Sequence, residues 1–306
     1  MNKIFPILLC SLWLMSTNVN AYGNGKANFS IEVNGEVNPY KIFSIFVLPK
    51  SEISIGSQSS LLITSSEVKV LASEPKNWKL IAPEKNGAYK VNIKDLNSEF
   101  MQLNVLVLTP ISDKKGEYLN NYRIGHYPSK PLNGNEIYNK PKGFFEVTEE
   151  NQHLLLTPHF TLSQFVCKQA ESFPKYLILR ELLLLKLEYL LEKVNQNGHE
   201  VETFGFISGY RTPYYNKLIN NVPYSRHVYG GAADIYINPN NQGGMDDLND
   251  DGSIDEQDVQ LFYNIVEAEF GKPSYDKFKG GLGFYRKNNH HNGFIHVDVR
   301  GWKARW

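Results

Sequence analysis

The sequence predicts an α+β protein in which an all-β, sandwich-like domain over residues 22–125 precedes a region where helices and strands mix. Three observations carry that expectation. Short apolar runs separated by Gly, Pro, Ser and Asn clusters fill residues 28–110, chain breakers crowd the stretch after them, and helical periodicity begins only beyond it. The 306 residues are enough for two domains and a substantial core.

The chain opens with Met1-Asn2-Lys3, an apolar run from Ile4 to Met15, and Val19-Asn20-Ala21. This order fits a secretory signal cleaved after Ala21 and places the protein in the periplasm or outside the cell. A membrane anchor is the alternative, but the run is short for a span and Leu9 before Cys10 lacks the small residue of a lipoprotein site. No integral membrane segment is expected after cleavage. Cys167 is then the only cysteine, so an intramolecular disulfide is impossible and the thiol reads as a small buried hydrophobe. Lys and Arg total 32 and Asp and Glu total 32, without a long basic run, which argues against a nucleic-acid partner.

In the first domain, Ile42 to Leu48, Leu61 to Thr64, Val68 to Ala72, Tyr89 to Ile93 and Leu103 to Leu108 read as strands of an antiparallel sandwich. No catalytic cluster occurs there, so a spacer or binding module is expected. Tyr40, Phe43, Phe46, Trp78 and Tyr89 read as core, with a glycan-binding aromatic row as the alternative. Residues 126–156, with His126 to Gly134 and Lys140-Pro141-Lys142-Gly143, read as a linker or extended connection.

Thr161-Leu162-Ser163-Gln164 opens a short helix by the capping-box pattern. Tyr176 to Val194 reads as a helix with Leu183, Leu187, Leu190 and Val194 on one face and Gly198 as its stop. A strand from Val201 to Ile207 then runs into Ser208-Gly209-Tyr210-Arg211. An Arg at the end of a buried strand needs an anion, which makes Arg211 either a structural ion-pair partner or a group that holds a substrate carboxylate or polarises a carbonyl.

His227, Asp234 seven residues on and the distant His296 form a three-ligand set that leaves one position open, as a hydrolytic Zn2+ requires. Gly230 and Gly231 permit a tight turn, Ala232 and Ala233 leave room, and Asp234 opens an apolar strand. His296 and Asp298 share a strand face. The Gly280-Gly281-Leu282-Gly283 turn would begin a hairpin whose return strand carries His296.

Ser-Gly-Tyr-Arg at 208–211, Ser-Arg-His-x-x-Gly-x-Ala-x-Asp at 225–234 and His-Val-Asp at 296–298 resemble the M15 zinc peptidases, the D-Ala-D-Ala carboxypeptidase and murein endopeptidase group. The resemblance covers residues 157–306. It implies a C-terminal zinc peptidase domain with a central antiparallel sheet, His227, Asp234 and His296 as Zn2+ ligands, Arg211 in contact with substrate, and peptidoglycan stem peptides as substrate. Many relatives place a carboxylate or His two or three residues before the last ligand, where it moves protons during hydrolysis. Here those positions are Phe294 and Gly293, and the nearest substitutes are His291 and Asp298, the latter acting as a base or orienting His296. The expected activity is therefore a DD-endopeptidase or carboxypeptidase. The alternatives are a catalytically inactive cell-wall-binding protein that retains the zinc pocket, and a structural zinc beside an adhesive β domain.

A second metal pattern spans 243–260. Asp247, Asn249, Asp251, Ser253, Asp255 and Asp258 occupy the oxygen-ligand positions of an EF-hand-type Ca2+ loop, with Gly252 at its turn. Asp258 in place of the usual Glu resembles dockerin-type repeats. Only one loop is evident, which implies an inserted structural Ca2+ site followed by a helix carrying Val259, Phe262 and Val266.

Overall fold

The structure, a computed structural model, describes residues 22–74, 76–238, 244–289 and 291–306. The signal expected over residues 1–21 and the first residue of the expected calcium insertion, Gly243, lie outside the described residues. The chain is a sheet-rich mixture of α and β structure with several antiparallel sheets.

The N-terminal part carries β1 (Lys26–Val33), β2 (Glu36–Tyr40), β3 (Ile42–Val47), β4 (Glu52–Gly56), β5 (Leu61–Thr64), β6 (Lys69–Glu74), β7 (Asn77–Ile81), β8 (Gly87–Asp95) and β9 (Phe100–Val107). They form a five-stranded sheet in the order β2-β1-β4-β7-β6 and a four-stranded sheet in the order β3-β9-β8-β5. Alternation drives the burial, as in β4, where Ile53 and Ile55 are buried while Glu52 and Ser54 face solvent. One pairing departs from the antiparallel expectation, because β3 and β9 run parallel. No hairpin links these two strands, and Phe43, Ser44, Ile45 and Leu103 to Val107 are buried, the two-sided covering that parallel pairs require.

The stretch expected as a linker or extended connection contains a paired strand. Gly143–Val147 pairs antiparallel with Thr109–Pro110 and with Lys175–Leu177, and Phe144, Phe145 and Val147 are buried. Their apolar content outweighs the breakers just before them. For the same reason the expected helix starts late: Lys175–Leu177 is extended, and α1 runs Glu181–Gln196. Gly198, at φ +93°, follows its end. The short helix after Thr161 is present as a 3-10 turn with its capping box, in which the Thr161 N–H donates to Gln164 Oε1 at 2.8 Å.

The C-terminal sheet orders its strands as Gly205–Ser208, Ala232–Tyr236, Phe294–Asp298, Gly281–Tyr285 and Ala304–Arg305. The first three junctions are antiparallel and the last is parallel. A short helix, α2 (Pro213–Leu218), follows the first of these strands, capped by the Thr212 side chain. α1 and α3 (Glu256–Glu267) pack behind the sheet. The run from Gly280 starts a strand as well as a turn, because a Cβ at Gly281 would lie 2.5 Å from Asp298 Oδ2 and one at Gly283 would lie 2.6 Å from Trp306 Nε1. Most buried apolar side chains from Phe29 to Val299 form one continuous cluster, and Tyr138, Val228 and Tyr229 form a smaller second one. No helix among the described residues is long and apolar enough to cross a membrane.

Candidate metal centre

His227 sits on a 3-10 turn, Arg226–Tyr229, closed by Gly230 in the left-handed conformation at φ +66°. A Cβ on Gly230 would lie 2.3 Å from the Ile178 carbonyl oxygen, so only glycine fits. The turn aims the imidazole at the sheet, where Nδ1 lies 2.7 Å from Gly209 O. A carbonyl only accepts, so Nδ1 carries the proton and the Nε2 lone pair faces Asp234 and His296. Asp234 and His296 lie directly opposite each other on adjacent strands.

The three groups converge. Asp234 Oδ1 is 3.2 Å from His227 Nε2 and 2.8 Å from His296 Nδ1, and the two nitrogens are 3.1 Å apart. Ligands at zinc bond lengths in a tetrahedron stand about 3.3 Å from each other, so this buried triangle matches one face of such a site with slight contraction. Among the described residues these are the three metal-binding side chains whose ligand atoms lie within 4.8 Å of one another. Two imidazole nitrogens and one carboxylate oxygen suit a borderline divalent ion.

Supporting groups fix each ligand. Arg211 donates through Nη2 to Asp234 Oδ2 and through Nε to Ser208 Oγ at 2.8 Å, so it holds a member of the triangle while also lining the cleft. Asp298 is fully buried and lies 3.2 Å from His296 Nε2. Its oxygens also accept from Gly281 N at 2.8 Å and from Arg300 Nε and Nη2. Held in this way, Asp298 is placed to orient His296. Beneath it, the fully buried Lys186 of α1 donates to the carbonyls of Asp298 at 2.7 Å and Phe278 at 3.1 Å.

Charge follows this arrangement. Burial alone would raise the Asp234 carboxyl, but His227 and His296 hold it well below the usual carboxylate range. His227 is pushed down by burial. In His296 burial acts downward, yet Asp234 and Asp298 outweigh it and favour the imidazolium. Burial pushes Lys186 down to about 7.

The triangle floors a cleft of about 1050 Å³ that also reaches Arg211, His291, Phe294, Arg300 and Trp306. His291 Nδ1 lies 2.8 Å from Asn292 O and Nε2 lies 2.8 Å from Asn288 Nδ2, which selects the neutral Nδ1–H tautomer. Among the described cleft residues it is the one imidazole outside the triangle. Sequence reading missed Arg300, Trp306 and Lys186. Arg300 shares the alternation of His296 and Asp298, a signal that was available, whereas Lys186 inside a Leu run resembles an ordinary exposed position.

The calcium pattern folds as a turn into α3. Asp247 accepts from Asp251 N and Gly252 N, Asp251 accepts from Ser253 N, and Asp258 accepts from Leu248 N and Asp255 N. Asn249 Oδ1 accepts from Asp251 N and Asp255 Oδ1 from Gln257 N, so the side-chain oxygens are turned onto the loop's own amides. No protein-family model matches this chain, and no curated protein matches it.

Proposed function

We propose that this protein is a metal-dependent hydrolase and, more narrowly, a secreted or periplasmic zinc peptidase that cuts amide bonds in peptidoglycan stem peptides. The observation that supports it best is the His227–Asp234–His296 triangle with edges of 2.8 to 3.2 Å at the floor of a deep cleft. The motifs at 208–211, 225–234 and 296–298 supply the substrate class.

His227 Nε2, Asp234 Oδ1 and His296 Nδ1 would hold the zinc. Bound there, zinc supplies Lewis-acid polarisation of the scissile carbonyl and activation of water at neutral pH. Arg211 locks the Asp234 carboxylate, and Asp298 keeps the His296 Nε2 protonated so that Nδ1 offers its lone pair. His291 takes the place of the missing carboxylate: its Nε2 lone pair can accept a proton in the cleft and return it to the leaving amine once Asn288 yields it.

The absence of a carboxylate at Gly293 and Phe294 favours one second reading, a wall-binding protein that retains the pocket but turns over nothing. Mass spectrometry of muropeptide digests by zinc-loaded wild type and His227→Ala separates the two. New fragments that disappear in the variant and on chelation support the peptidase; intact muropeptides that still bind support the binder.

We also propose that the 247–258 loop takes up one structural Ca2+ by releasing its carboxylates from the loop amides. Calorimetry on the folded protein should register uptake that Asp247→Ala/Asp251→Ala removes, and an absence of heat from the wild type would refute it.

A further inference from the structure

Lys186 and Glu188 lie two residues apart on α1 and therefore about 200° apart around it, so the side chain that supports Asp298 and the Glu188 carboxylate serve opposite sides of the helix. Glu188 is fully buried. It meets His159, in the turn between Leu155–Thr157 and Phe160–Thr161: the His159 backbone N–H donates to Glu188 Oε1 at 3.0 Å, and Nδ1 lies 2.7 Å from Oε2. The other ring nitrogen reaches the chain ahead of β1, with Nε2 2.7 Å from Gly23 O. Tyr22 stacks on the same imidazole, with ring centroids 5.0 Å apart and planes 26° from parallel. Residues 22–24 thus form a strap. It ends where Gly25 O accepts from Lys41 N at 2.8 Å and Lys26 pairs with Glu192, one turn beyond Glu188.

Both contacts of the imidazole need a proton. A carbonyl only accepts, so Nε2 must carry hydrogen to hold Gly23, and a carboxylate buried away from water needs the donor on Nδ1. The ring meets both demands only as imidazolium. Once one proton leaves, Glu188 retains the other, because its hydrogen bond is charge-assisted and no solvent can replace it. The lost proton is then the one that faced Gly23 O, and two lone pairs confront each other at the strap. Tyr22 offers no substitute, since its hydroxyl is buried without a hydrogen-bond partner. The surrounding charges are mostly acidic: Glu188 and Glu192 on α1 and Glu202 ahead of the Gly205–Ser208 strand, with Lys26 of β1 already engaged by Glu192 and the phenols Tyr22 and Tyr40 close by. Burial pulls the His159 pKa down, but Glu188, the Gly23 carbonyl and Glu202 outweigh it and raise it.

We infer that His159 is a proton-operated latch, which fastens the N-terminal strap to α1 when the imidazole is charged and frees it when the imidazole is neutral. The contact is fully present below the ordinary imidazole pKa of about 6.5 and is lost as pH rises through the higher value that the folded site confers. Release stops at Gly25, so β1 and the sandwich stay paired. Acidic surroundings hold the chain ahead of the sandwich against the body, and basic surroundings let it swing free. The latch shares no group with the metal triangle and stands or falls independently of the peptidase reading.

A nitroxide on Gly23→Cys reads the strap directly, since a Cβ there meets nothing within 4 Å. The full chain would also carry Cys10→Ser, which leaves buried Cys167 as the other thiol. Electron paramagnetic resonance spectra should show an immobilised label at about pH 5.5 and a mobile one at about pH 9. His159→Gln, which has no proton to lose in this range, should abolish the change. Glu188→Gln should move the midpoint down by about one pH unit or more, and if that buried variant does not fold, Glu202→Gln on the surface should move it down by a smaller step. Lys186→Met removes the other buried base of α1 and should leave the midpoint in place. Equal label mobility at both pH values overturns the latch. So does a transition that survives in His159→Gln, a midpoint unmoved in the folded Glu variants, or a midpoint that follows Lys186.

Discussion

Replacing Asp298 by Asn tests whether this carboxylate orients a metal ligand or handles protons itself. The substitution keeps the shape but removes the charge and turns one oxygen into a donor. In the native site Asp298 Oδ2 lies 3.2 Å from His296 Nε2, which fixes the proton on Nε2 and leaves Nδ1 toward the triangle. The best arrangement left to the substituted amide keeps its oxygen on Gly281 N and Arg300, so its NH2 group faces the imidazole. That donor forces the His296 proton onto Nδ1, the nitrogen needed by the metal. Loss of such a support typically weakens metal affinity about 10- to 100-fold, or about 1.4 to 2.8 kcal/mol. Without metal, Arg300 and the His296 imidazolium lose their buried counter-charge, which costs about 3 kcal/mol of folding stability. Zinc competition against a chromophoric chelator measures the first effect and urea unfolding of the metal-free protein the second. Unchanged zinc affinity with abolished turnover would refute the orienting role and make Asp298 the base.

Other outcomes follow from single residues. Lys186 has a folded pKa near 7 against an unfolded value of about 10.4, so between these pH values the unfolded chain binds more protons and this residue makes stability rise with pH. Lys186→Met should reduce the gain in urea midpoint between pH 7 and 9.5 relative to wild type, and equal gains would contradict the burial argument. Gly230→Ala drives a Cβ to 2.3 Å from a backbone oxygen in a left-handed conformation and should cost about 2 kcal/mol or more, with loss of zinc uptake. Gly252→Ala, at φ +85° with nothing within 4 Å, should cost about 1 kcal/mol and leave zinc uptake intact. Thermal melts and zinc titration of both variants check this contrast.

Strands β3, β5, β6, β8 and β9 and helix α3 follow from apolar periodicity and were expected close to their positions. The parallel β3–β9 pair was not, because direction of pairing depends on which strands meet after a long detour. Residues 143–147 read only as part of a linker or extended connection because Pro141 and Gly143 dominate the local composition, while the partner that makes them a strand lies about thirty residues on, at Lys175–Leu177. The triangle was legible because each of its members sits inside a distinctive motif. The engagement of Arg211 with Asp234 was not, since a sequence names a cation's need for an anion without saying which anion satisfies it.

Register joins the metal centre to the sheet. Asp234 is the Cα partner of both His296 and Ser208, so the ligand pair and the hydroxyl that supports Arg211 lie on one cross-strand line. Because side chains alternate with period two, a slip of one residue would turn Asp234 or His296 to the opposite face and break the triangle completely. Apolar burial resists that slip: Ala233 and Ile235, which flank Asp234, and Ile295 and Val297, which flank His296, are all fully buried on the other face. The glycines of the neighbouring strand add a second constraint, since Gly283 admits the Trp306 ring, whose centroid is 5.1 Å from that of His296. Core packing behind the sheet and ligand geometry in front of it therefore select the same register. A core substitution such as Val297→Ala, which touches no ligand, should on this account lower zinc affinity along with stability instead of lowering stability alone.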